Sequence, residues 1–148
     1  MRIGKFKIIV GAALAVAAIV AVHAQSSGFQ SVSGTNFVSI ELSAIAPGHA
    51  KGFTYTDSVG RELRFILARG KDGQIGAAFD ACRQCYSYHR GYKICSGELM
   101  CRECGNRYPT GRMSEGKASC VPIALAHRVD SGKVTIKTAD LEAGSWLF

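Results

Sequence analysis

Residues 82–105 read CRQCYSYHRGYKICSGELMCRECG, and the rest of the chain is best understood from this stretch outward. It holds two Cys-x-x-Cys pairs, Cys82-Arg83-Gln84-Cys85 and Cys101-Arg102-Glu103-Cys104, with fifteen residues between Cys85 and Cys101. That is the spacing of a four-thiolate metal site. Two residues between cysteines let one tight turn aim both sulfurs at a single ion, and a second such turn completes a tetrahedron. Gly105 follows the second pair. A glycine there lets the backbone take positive φ and turn its N–H groups toward the sulfurs. The first pair is followed by Tyr86 and lacks that signal. The expected ligands are Cys82, Cys85, Cys101 and Cys104. Cys120 is a candidate additional ligand.

The chain has six cysteines, at positions 82, 85, 95, 101, 104 and 120. An even count in an exported protein also fits a disulfide framework. Against this, the cysteines crowd into 39 of the 148 residues rather than stapling the whole fold. Cys95 lies in an expected hairpin, Gly91 to Met100, and reads as a small packing residue. His89 is an alternative ligand, but a lone histidine beside Arg90 is more often solvated.

The N-terminus gives an address. Arg2, Lys5 and Lys7 precede a 15-residue run of apolar and small residues, Ile8 to Val22. Val22-His23-Ala24 then supplies a cleavage site, with Gln25 as the expected mature start. The alternative is an uncleaved membrane anchor helix, for which 15 residues is short against the ~20 needed to cross a bilayer. Either reading puts the remainder outside the plasma membrane, in the periplasm or on the extracytoplasmic face. Residues 1–24 are thus a signal or anchor. Residues 25–36 are Ser- and Gly-rich and read as a flexible linker. Residues 37–148 are one domain by size.

That domain reads as mainly β: a small antiparallel β domain with a ribbon-like cysteine loop over residues 82–120. Phe37 to Ile45, Lys51 to Asp57 and Arg61 to Arg69 alternate as strands do. Lys71-Asp72-Gly73 is a hairpin turn, and Gln74 to Phe79 returns to deliver the chain to Cys82. Ile123 to Val129 and Lys133 to Thr138 are expected as two strands across Asp130-Ser131-Gly132. Ala139 to Gly144 is expected as a helical turn, and Trp146, Leu147 and Phe148 are expected to pack back onto the core.

Of the net charge of +7, Arg2, Lys5 and Lys7 contribute three, so residues 25–148 carry +4. Arg83, Arg90, Lys93, Arg102, Arg107, Arg112 and Lys117 cluster among the cysteines, with Tyr86, Tyr88, Tyr92 and Tyr108. Cations near metal thiolates stabilise their negative charge. Bases with aromatics suggest nucleic acid in a cytosolic protein, but the export signal argues against it, and no nucleic-acid partner is expected. No Ser/His/Asp set, phosphate loop or spaced pair of carboxylates supports hydrolysis or group transfer.

Three segments then resemble a known family. Ala78-Phe79-Asp80-Ala81-Cys82-Arg83-Gln84-Cys85-Tyr86 is similar to its AFDAC-x-x-CY signature. Gly91-Tyr92, Met100-Cys101 to Gly105 and Arg107-Tyr108-Pro109 resemble its GY…CxxCG-x-x-[FY]-P segment, and Ser119-Cys120-Val121-Pro122-Ile123 its last cysteine motif. This is the membrane iron-sulfur FtrD-like family, and the resemblance spans roughly Val38 to Leu141. Its matched cysteines are Cys82, Cys85, Cys101, Cys104 and Cys120. The resemblance implies a bound iron or iron-sulfur cluster. It also implies electron transfer or metal handling beside the oxidase and permease components that import ferrous iron, or beside another membrane redox protein. The alternatives are a structural zinc ribbon, a disulfide-stabilised domain without metal, and a thiol-disulfide protein.

Overall fold

Asp72 opens the most regular part of the fold. Its Oδ1 accepts the Gln74 N–H at 3.1 Å, while Gly73 takes φ +85 and closes the turn. Few residues other than glycine hold that φ without strain. The turn joins two long antiparallel strands and fixes their register, Phe65 opposite Phe79.

In the computed structural model, residues 28–113 and 120–148 are described. The signal or anchor expected at residues 1–24, and Lys117, lie outside them. The strands are β1 (Phe29–Val32), β2 (Phe37–Glu41), β3 (Ala50–Thr56), β4 (Glu62–Arg69), β5 (Ile75–Cys82), β6 (Tyr92–Cys95), β7 (Glu98–Cys101), β8 (Arg107–Pro109), β9 (Pro122–Ala124), β10 (Arg128–Asp130) and β11 (Lys133–Lys137), followed by helix α1 (Thr138–Ala143). They form a five-stranded sheet in the order β1-β3-β4-β5-β9 and two three-stranded sheets, β10-β11-β2 and β6-β7-β8. All pairings are antiparallel except β1 with β3. The fold is mainly β, and no described helix is long and apolar enough to cross a membrane.

The central sheet is buried on both faces. Side chains alternate along a strand. Leu63, Phe65 and Leu67 of β4 therefore join Ala77, Phe79 and Ala81 of β5 on one face, against Val38, Ile40, Val134, Ile136 and Leu141. Ile66, Ala68, Ala78 and Cys82 point the other way and pack with Tyr92, Leu99, Cys101, Tyr108, Met113 and Cys120. Phe53 and Phe65 stack at 5.5 Å in the first core. Burying a side chain of this size contributes about 1.5–3 kcal/mol.

Four expectations need correction. Part of the segment expected as a flexible linker, residues 25–36, is strand β1. It docks because Gly52 offers no side chain: a Cβ there would lie 2.7 Å from the Phe29 ring. The single strand expected over Ile123 to Val129 is two, β9 in the central sheet and β10 in the outer one. Between them His127 reaches the carbonyls of Leu125 and Ile75, at 3.1 and 3.2 Å, and turns the chain from one sheet to the other. The cysteine region is less of a loop than expected, since β8 adds a third strand to the hairpin β6–β7. At the C-terminus Leu147 is buried, but Trp146 is 59 % exposed.

Asp80 ties the cysteine sheet to the central one. Its side chain is buried in β5, and its Oδ1 accepts the Tyr92 N–H of β6 at 2.6 Å. Arg64 of β4 sits 3.6 Å from its other oxygen. Burial pushes the carboxyl up to about 6, opposed by the Tyr92 N–H and by the charges of Arg64 and Arg102. Gly91 takes φ +62 and lies so close to the Asp80 carboxylate that any side chain there would collide with it. Replacing Asp80 by Ala strands the buried Tyr92 N–H and is expected to cost about 2–3 kcal/mol. Asp80→Asn keeps an acceptor and should cost about 1 kcal/mol. Urea unfolding of the two variants checks the order, and equal losses would show that the hydrogen bond is not what matters.

Candidate metal centre

Cys82 is the last residue of β5, and the strand's alternation puts it on the face that looks at β6–β8. The chain then turns tightly. The Cys85 N–H donates to Cys82 Sγ at 2.9 Å, and Arg83 N–H donates to the Val121 carbonyl at 3.1 Å. A 3-10 turn over Tyr86–Tyr88 and two positive-φ residues, His89 and Gly91, bring the chain back into β6. Cys101 ends β7 and begins a turn of the same kind. Its sulfur accepts backbone N–H groups of Cys104 and Glu103. Gly105 takes φ +75, as its place in the sequence predicted, and its N–H closes the turn on the Cys101 carbonyl at 2.9 Å. Backbone N–H groups aimed at sulfur favour thiolates.

Cys120 is held by Tyr92, whose hydroxyl donates to its carbonyl at 2.9 Å. Its sulfur lies 3.4 Å from Cys85 Sγ. The sulfurs of Cys82, Cys85, Cys101 and Cys120 all fall within 4.8 Å of one another. Three of these cysteines are buried and Cys85 is half-buried, and none is in a disulfide.

Five of the sequence's candidate sulfurs therefore come together, and the closest four include Cys120 rather than Cys104. Cys104 is exposed at the rim, with its thiol beside those of Cys120, Cys101 and Cys85. Cys95 stands apart in β6, its nearest polar partner the Lys93 carbonyl at 3.9 Å. His89 is exposed and outside the cluster.

Without a cation Cys85, Cys101 and Cys120 hold their protons. Burial, with hydrogen bonds to Cys120 and Cys82, pushes the Cys85 thiol far up, and burial also raises Cys101. Cys120 is pushed up to about 12, first by its hydrogen bond with Cys104 and then by burial. At Cys104 partial burial works upward, but hydrogen bonds from Cys120, the Asn106 backbone, Cys101 and Cys85 outweigh it and leave the thiol below its ordinary value. A metal entering such a set supplies the positive charge that replaces those protons. The expected basic rim is present but partly neutralised. Arg90 pairs with Glu103 at 3.2 Å, Arg107 pairs with Glu98, and Arg102 Nε donates to the Tyr92 carbonyl at 3.1 Å.

The tyrosines do more than cover the site. Tyr92 and Tyr108 meet edge to face with centroids 6.2 Å apart, both almost fully buried. The Tyr108 hydroxyl has no hydrogen-bond partner, and the Asn106 side chain lies beside it without making an ordinary bond. An unpaired buried hydroxyl is costly, about 1–3 kcal/mol. Asp80 was missed from the sequence, although an acid inside the small apolar run Ala77 to Cys82 is itself a signal of a buried partner.

The donor set is four soft sulfurs, with no carboxylate or imidazole. Such a set selects zinc, copper(I) or iron and iron-sulfur groups rather than hard cations. Cysteine thiolates are the ordinary ligands of iron-sulfur clusters. The residues fit such a group, and the spare Tyr108 hydroxyl adds a donor that a bound sulfur could use.

Comparison with curated proteins gives no match. Among solved structures, a chain from a complex of reduced oxygenase and oxidized ferredoxin in carbazole 1,9a-dioxygenase is similar at 14% identity and TM-score 0.46, over 70% of this chain and 94% of that one. A quaternary ammonium Rieske monooxygenase, CntA, solved with an inhibitor, is similar at 15% identity and TM-score 0.44, over 75% of this chain but only 32% of its own. The family model described as membrane iron-sulfur containing protein, FtrD-like, matches residues 45–148, which include all six cysteines. The cofactor of that description is an iron-sulfur cluster, and the cysteine cluster has the chemistry to hold one. This chain belongs to the FtrD-like family of membrane iron-sulfur containing proteins.

Proposed function

We propose that the protein is an exported, membrane-associated carrier of single electrons that serves ferrous iron uptake. Its partners would be iron permease and oxidase components or another membrane redox protein. The observation that carries this reading is the convergence of Cys82, Cys85, Cys101 and Cys120 within 4.8 Å, with Cys104 exposed beside them. When bound, an iron-sulfur group supplies reversible one-electron chemistry. The chain's own residues supply the rest. The two turns aim N–H groups at Cys82 and Cys101, which steadies negative charge on sulfur. Tyr92, Leu99 and Met113 exclude water from the inner side. Cys104 marks the side on which the cluster of sulfurs comes nearest to solvent.

The ligand assignment Cys82, Cys85, Cys101 and Cys120 is part of the proposal. So is the position outside the cytoplasmic membrane, which rests on Arg2, Lys5, Lys7 and the run Ile8 to Val22.

Protein purified without oxygen should contain iron and acid-labile sulfide and be coloured, and its visible absorbance should bleach on reduction with dithionite. Colourless protein loaded with zinc would favour the structural alternative, because zinc has no redox chemistry. A second expectation concerns the ligands. Even loss of a group behind a ligand costs about 10–100-fold in metal affinity, so Cys82→Ser, Cys101→Ser and Cys120→Ser should each lose at least that much. Cys95→Ser should keep wild-type iron, and Cys104→Ser should keep most of it. Elemental analysis of the five variants decides. If Cys104→Ser empties the site and Cys120→Ser does not, the fourth ligand is Cys104.

A further inference from the structure

Tyr108 is one of two residues with a buried, unpartnered side-chain N or O atom among the described residues. The other, Arg69, still has its guanidinium on the Ile45 carbonyl. Tyr108 is 2 % exposed and stands opposite Leu99 on β7, in the same buried cluster as Cys82, Cys101 and Cys120. Its neighbour Tyr92 has its hydroxyl committed to the Cys120 carbonyl. Tyr108 therefore brings a second hydroxyl, without a hydrogen-bond partner, into the cluster that holds Cys82, Cys101 and Cys120.

Buried hydroxyls in folded proteins nearly always find a partner. Apart from the neighbouring Asn106 side chain, which makes no ordinary bond to it, the acceptors the buried cluster offers are its sulfurs. A phenol keeps its proton at neutral pH and can donate. A hydrogen bond to a metal-bound sulfur draws electron density from it. The bond strengthens as the centre gains negative charge, and it therefore favours the reduced form.

We propose that Tyr108 is a positioning residue whose hydroxyl donates a hydrogen bond to a sulfur of the bound iron centre and raises its reduction potential. This rests on the electron-transfer reading above. Tyr108 keeps its proton and is not oxidised. The single electron that enters the centre comes from the external donor, which in the test is dithionite.

The test is Tyr108→Phe in the full-length protein, which deletes one oxygen and keeps the ring against Tyr92. Iron and sulfide per chain should stay at wild-type level. The midpoint potential, followed optically against redox dyes, should fall by up to tenfold in the reduction equilibrium, which is 59 mV for one electron. A second measurement does not depend on the native metal. In cobalt(II)-loaded protein the sulfur-to-cobalt charge-transfer band should move to lower energy in Tyr108→Phe, because a sulfur without its hydrogen bond gives up an electron more easily. Tyr88→Phe removes a hydroxyl from an exposed tyrosine outside the cluster and is the control, expected to leave both readouts unmoved. An unchanged potential and an unmoved band in fully loaded Tyr108→Phe would overturn the proposal, as would an equal shift in Tyr88→Phe. Should the native metal prove redox-inactive, the function proposed above fails, and the cobalt band still decides whether Tyr108 bonds to sulfur.

Discussion

Strand β5 is covered on both sides, and the cysteine cluster depends on that. One set of its side chains, Ala77, Phe79 and Ala81, belongs to the core under β2 and β11, and the alternate set, Ala78, Asp80 and Cys82, belongs to the cysteine sheet. A slip of one residue against β4 would exchange the sets. It would bury Phe79 among the sulfurs and send Cys82 into the aliphatic core. The register is held at one end by the Asp72–Gly73 turn and at the other by the carboxylate of Asp80, which takes the Tyr92 N–H across to β6. Few groups can do what Asp80 does. An apolar side chain leaves Tyr92 unpaired, and a longer acid has no room beside Gly91.

The cluster is thus assembled from three separate stretches, none of which could gather four sulfurs alone. The turn at Cys82–Cys85 belongs to the central sheet, Cys101 to the end of the small hairpin, and Cys120 to the chain entering β9. What holds them at a common point is polar contact between those stretches: Asp80 with Tyr92, Tyr92 with the Cys120 carbonyl, and Arg83 with the Val121 carbonyl. The cluster is in this sense a joint between the sheets as well as a binding site.

Much of this could be read from the sequence, because the signals were local. The Cys-x-x-Cys spacing encodes a turn, Gly105 encodes its positive φ, and Lys71-Asp72-Gly73 encodes a hairpin. Each needs only a few consecutive residues. The exchange of Cys104 for Cys120 in the closest four could not be read this way. It depends on how the chain returns after β8, and spacing says nothing about that path. Strand β1 was hidden for a similar reason. Its Ser- and Gly-rich composition suits a linker, and only the absent side chain at Gly52, over twenty residues away, gives Phe29 a seat. Trp146 was read as core because it is large and apolar, but Leu147 and Phe148 fill the available space and leave Trp146 edge-on to Tyr86 at the surface.

The pairing of β1 with β3 also limits how far the domain could stand from a bilayer. Strand β1 begins at Phe29, only seven positions after Val22 ends the apolar run. A fully stretched chain spans at most about 3.5 Å per residue, so an uncleaved leader would give a leash of about 25 Å. A domain of this size is about 35 Å across. It would graze the lipid headgroups instead of ranging through the space beyond them.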